Sequence, residues 1–154
     1  MQSPETTDLR PWHKRFAMET NNRAWDLAVI ERTPAEDLEM LDAAHASAWH
    51  WSAVGTELNR MRATMLLAEV HALLGHGPSA FEFAQSMHTY FAANETPDWE
   101  IAFAHAILAH AASVAGVSAV HRRAYENATV AILAISSEED RAIVVKTFSK
   151  VPRP

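Results

Sequence analysis

Between Leu41 and Trp51, Leu41, Ala44, Ala48 and Trp51 fall on one side of a helix, while Asp42, Ala43, Ala46 and His50 look the other way. Spacings of three and four residues are the helical period. The same alanine-, methionine- and leucine-rich texture runs through most of the chain. β-Branched runs are confined to short patches near the C-terminus, so strands have little support.

Punctuation divides this texture into about seven helices. Pro11 opens a first, reaching Arg32. Thr33-Pro34-Ala35-Glu36 reads as an N-cap, a proline at the first helical position and a capping-box glutamate, starting a second that reaches Trp51. Gly55-Thr56 resets the chain before a third from Glu57 to Leu74, and Gly75-His76-Gly77-Pro78 breaks it before a fourth ending near Ala93. Thr96-Pro97 opens a fifth, closed by Gly116; the sixth runs from Ser118 to Ile135. Ser136 to Asp140 caps a short seventh that stops before Pro152. Long helices joined by short breaks predict antiparallel hairpins. Residues 1–10 are polar and read as a flexible segment, and 11–152 as a single domain.

The hairpins repeat. A shift of 41 residues lays Leu67-Ala68…Gly75 on Leu108-Ala109…Gly116, and a shift of 40 lays Leu27-Ala28 on Leu67-Ala68. Trp25 then meets Met65, Ala44 meets Ala84, and Trp51 meets Phe91. Small residues recur where helices must approach and large apolar ones where space must be filled. The run from Leu67 to Gly75, followed by Ala80, Ala84 and Met87, resembles the tetratricopeptide (TPR) pattern; Leu108-Ala109, Ala112, Gly116, Ala124 and Ala128 resemble it again. His121 stands where alanine is usual, and the spacing exceeds the TPR repeat length. Arg10–Pro152 is also similar to bacterial TPR-like proteins in its His-Trp and Gly-Thr-x-x-Asn stretches. The resemblance implies an all-α, right-handed superhelical array of three hairpins and a capping helix, whose inner surface binds a protein or peptide.

Composition narrows the chemistry. The chain has no cysteine, which excludes disulfides, thiol catalysis and cysteine-based metal sites and fits a cytoplasmic protein. Its net charge is −6 and its basic residues form no patch, which argues against nucleic acid as a partner. No apolar window is long enough to cross a bilayer, and no signal core opens the chain, so no membrane partner is expected. HExxH, GxSxG, GxGxxG and GxxxxGK[ST] motifs are all absent. No catalytic residue, metal ligand or cofactor is assigned.

Nine histidines keep a metalloprotein or enzyme on a helical bundle open as the alternative. It requires at least three of His45, His71, His88, His105, His110 and Glu69 at one point. His45 and His50, five apart, lie about 140° apart around a helix, a poor spacing for joint ligation. Trp51 reads as a core plug, and His45 and Trp49 as ring neighbours at the boundary. Phe81, Phe83, Tyr90 and Phe91 spread over more than one face, and any exposed subset favours a homodimer. Glu69 is an acid in an apolar stripe beside Met65, and the 41-residue shift places it opposite His110 and Arg62 opposite Phe103. On successive inner helices these residues converge on one groove. Asn59 and Arg62 line its mouth, Met65 and Phe103 anchor it, and Arg62, Glu69 and His110 select a protein or peptide by charge and hydrogen bonding. A non-catalytic interaction module is the expected function.

Overall fold

The computed structural model describes residues 7–154, so residues 1–6 of the expected flexible segment lie outside the described residues. It contains seven helices: α1 (Arg10–Ala28), α2 (Pro34–Val54), α3 (Glu57–Leu73), α4 (Gly77–Ala93), α5 (Asp98–Ala115), α6 (Ser118–Leu133) and α7 (Glu138–Phe148). The fold is all-α. None of the described helices is long and apolar enough to cross a membrane.

The starts follow the predicted chemistry. Thr33 accepts from the Glu36 backbone N–H at 3.3 Å, and the Glu36 carboxylate accepts from Thr33 N–H at 2.8 Å, a complete capping box. Thr56 and Asn59 form the same reciprocal pair at the start of α3. Gly116 ends α5 at φ +75°, a left-handed backbone that glycine adopts without steric cost.

The stops are less legible. The first helix ends at Ala28 and not at Arg32, because Arg32 turns back on it. The guanidinium donates to the carbonyls of Leu27 at 3.0 Å and Ile30 at 3.1 Å, and to Asp37 at 2.7 Å. No basic residue lies within the last turn of α1, so this cation supplies the missing C-terminal partner from outside.

Helices α1/α2, α3/α4 and α5/α6 pack as hairpins, α2 packs on α3, α4 on α5, and α6 on α7. The first helices also touch in succession, α1 to α3, α3 to α5, and α5 to α7. This adjacent packing is that of a helical repeat. Equivalent residues do equivalent work: Leu27-Ala28, Leu67-Ala68 and Leu108-Ala109 are all buried, as are Ala44 and Ala84. Each buried leucine or methionine adds about 1.5–3 kcal/mol, while the alanines let the backbones close. Gly77 has a role beyond breaking the chain. A Cβ there would lie 2.8 Å from the Val114 carbonyl oxygen and 2.9 Å from Ala115 Cα, so α4 begins where only glycine fits against α5.

The tail after α7 returns to the start of the array. Lys150 donates to the Ala28 carbonyl, Val151 is buried, and the His121 imidazole donates to the Pro152 carbonyl at 2.7 Å. Burial and the nearby Arg32 hold the Lys150 ammonium below its ordinary value.

Candidate functional site

The first helices of the hairpins and the capping helix enclose a groove. A cavity of about 420 Å³ lies between α1, α3, α5 and α7. Its apolar lining is Trp25 from α1 and Val29 just after it, Met65 from α3, Trp99 and Phe103 from α5, and Ile143 from α7. Asn21, Asp26, Arg62, Lys146 and Thr147 supply the polar positions. The volume falls within the usual range of ligand pockets, as does the pattern of apolar walls with a few polar groups.

The rings are held by one another. Trp25 and Trp99 each meet Phe103 edge-on, with centroids at 5.3 and 6.4 Å, the arrangement aromatic quadrupoles prefer. Phe103 is buried and Met65 lies beside it in the same core cluster, so the groove is a continuation of the core and not a loose surface hollow.

Arg62 is the most constrained polar group of the lining. Its Nε donates to Glu100 Oε1 at 2.6 Å, and its Nη2 approaches the same oxygen. The Glu100 side chain is fully buried, whereas that of Arg62 remains 42% exposed. A carboxylate removed from water needs such a partner. Among the described residues Oε2 of Glu100 has none, so the compensation is one-sided. Glu100 thereby fixes the guanidinium at the groove wall, with its outer edge toward solvent.

The residues read from sequence are distributed as follows. Arg62, Met65 and Phe103 line the cavity. Asn59 caps α3 and lines a smaller adjoining hollow with Met18, Asn21, Asn22, Trp51 and Arg62. Glu69 and His110 do face one another: His110 Nδ1 and Glu69 Oε2 are 3.0 Å apart. Both are buried, however, and neither is part of the cavity lining. The 41-residue shift that aligned them is the separation of a buried hydrogen bond joining α3 to α5.

Trp25, Asp26, Trp99, Lys146 and the buried Glu100 partner were not read from sequence as parts of the groove. The signal for Trp25 was present, since the 40-residue shift pairs it with Met65 and both line the cavity. Trp99 stands one turn before Phe103 on the same helix. Lys146 lies beyond the stretch that the two repeat shifts align, so no such signal reached it.

The histidines are organised across helices and not along them. His13 on α1 and His50 on α2 bring their Nδ1 atoms to 2.9 Å. His45 on α2 and His71 on α3 meet through Nε2 at 3.0 Å, and the other nitrogen of His71 lies 3.1 Å from Nδ1 of His76. His88 on α4 and His105 on α5 meet at 3.0 Å. Because His71 offers a different nitrogen to each partner, the three cannot converge on one ion. Among the described residues no group of three or more His, Asp or Glu side chains could hold a metal ion.

Each contact has an electrostatic consequence. Burial, with His45 and His76 adding, pushes His71 down to about 4. Burial, with His88 adding, pushes His105 down to about 4. Burial lowers His88, and burial with His13 lowers His50.

Two local expectations are corrected here. His45 pairs with His71, while Trp49 packs on His13 and His50, because the facing helix outweighs a neighbour four residues along. Trp51 is half-buried and not a core plug, because it lines the hollow between α1 and α3 with Met18 and Asn59. The ring run on α4 is absorbed as well, with Phe91 in the core and Phe81, Phe83 and Tyr90 packed against it. No protein-family model matches this chain, and no curated protein or solved structure matches it.

Proposed function

We propose that the chain is a non-catalytic interaction module that holds a protein or peptide segment in the groove between α1, α3, α5 and α7, on a TPR-like right-handed array. One observation carries the reading: an aromatic-walled cavity of about 420 Å³ built from the first helix of every hairpin, with Arg62 fixed at its wall. A large apolar side chain of the partner enters between Trp25, Trp99 and Phe103. Arg62, Asp26 and Lys146 meet polar groups flanking it.

Affinity capture from native lysate by the wild-type chain, by Trp99→Ala and by Trp49→Ser tests this. Trp49→Ser removes an exposed ring outside the groove and should retain the captured partner. Loss of that partner is expected only for Trp99→Ala. Equal capture by all three would remove the groove from the reading.

Self-association is a second reading, favoured by the exposed rings of the first hairpin. Trp12 stacks on Phe16, and His13 and His50 join these to Trp49, which is 63% exposed. Sedimentation of Trp49→Ser against wild type separates this homodimer from a monomer.

A further inference from the structure

Seven of the nine histidines are in contact with another histidine, and these contacts lie where helices meet. The α1/α2 contact is His13–His50, the α2/α3 contact is His45–His71, the α3–α4 turn adds His76, and the α4/α5 contact is His88–His105. A neutral imidazole has one donor and one acceptor nitrogen, so two rings can share a hydrogen bond only while at least one acceptor remains. A doubly protonated pair has none. It places two donors, both positive, about 3 Å apart.

The surroundings offer no compensation at the two seams that join successive hairpins. At α2/α3 the titratable groups acting on His71 are His45 and His76, and the ring packed on it from α4 is Phe83. At α4/α5 His88 acts on His105, and the hollow beside His88 is lined from α6 by Arg123 and Asn127, a cation and an amide. Among the described residues no carboxylate hydrogen-bonds any ring of these two clusters.

We propose that the seams α2/α3 and α4/α5 form an acid-sensitive joint: mild acidification favours opened states in which these histidines take up protons, and so loosens successive hairpins. The direction follows from proton uptake. His71 and His105 sit near 4 when folded, against an ordinary value of 6.5, so the unfolded chain binds more protons between these limits. Their contribution to stability is complete above 6.5 and is lost as the pH falls toward 4. Carboxylates, with ordinary values near 4, stay mostly ionised down to pH 5, so the upper part of the window belongs to histidine.

Thermal unfolding of the full chain at pH 7.5 and pH 5.0 tests the joint. For wild type the midpoint should fall by about 5 °C or more. In His71→Gln/His105→Gln, whose amides can still donate and accept but cannot gain a proton, less than half of that fall should remain. A wild-type midpoint that does not move, or a variant that keeps half or more of the wild-type fall, overturns the proposal. Should the variant not fold, imidazole NMR titration of the wild type decides. Two or more rings titrating below pH 5 sustain the joint, and fewer than two overturn it.

Discussion

The groove and the seams solve the same problem in opposite ways. Both bring ionisable side chains out of water where helices meet. Along the groove-forming helices the partners are chemically unlike: Arg62 lies on Glu100, and His110 lies on Glu69. At the seams the partners are alike, histidine on histidine. Unlike partners hold charge in place, and like partners hold only while charge is absent. The difference separates a rigid face from joints whose strength depends on the medium.

The comparison breaks most visibly if Arg62 is removed. Arg62→Met leaves Glu100 buried with neither oxygen compensated and should cost on the order of 3 kcal/mol in urea unfolding, near the lower end expected for a broken buried pair because Arg62 is partly exposed. Glu100→Gln, which retains an acceptor and sheds the charge, should cost clearly less. Equal costs would mean that the charge of Glu100 is immaterial there.

The Glu69–His110 contact sharpens the contrast at a smaller scale. Glu69→Gln keeps a hydrogen-bonding group opposite His110 and should cost about 1 kcal/mol, whereas Glu69→Leu strands a buried imidazole nitrogen and should cost about 1–3 kcal/mol. Urea midpoints for the two variants in the reverse order would sink the assignment. Smallest of all, His71→Gln alone should lose no more than about 1 kcal/mol at pH 7.5. At pH 5.0 the same variant should rank above its pH 7.5 position relative to wild type, because the residue that refuses a proton in the fold is gone.

How much of this was legible depends on the range of the signal. Helix starts were written locally: Thr33 with Glu36, Thr56 with Asn59 and Ser137 ahead of its acidic run each name a cap within one turn. The repeat shift carried information across hairpins, and it placed Glu69 opposite His110 and Met65 in the groove. It did not convey depth. An acid on an apolar stripe faces either a ligand or a buried partner, and only the packing of α3 on α5 shows that Glu69 takes the second course. The histidine seams were invisible for another reason. Their members are separated by 37, 26 and 17 residues between α1 and α5, distances that match neither a helical turn nor the repeat, so spacing along the chain carried no hint of them. Arg62 and Glu100, 38 apart, fall just off the repeat register, and their pairing escaped for the same reason.

The Lys150 ammonium resting on the Ala28 carbonyl ties the last turn of the first helix to a tail that the ribosome makes more than a hundred residues later. In an open stack each unit answers only to its neighbours, and the ends fray independently. Here Lys150 bridges from the tail after α7 to the end of α1, past the intervening hairpins. The last turn of the opening helix is completed by a residue made 122 positions later, so a change at Lys150 is felt at Ala28.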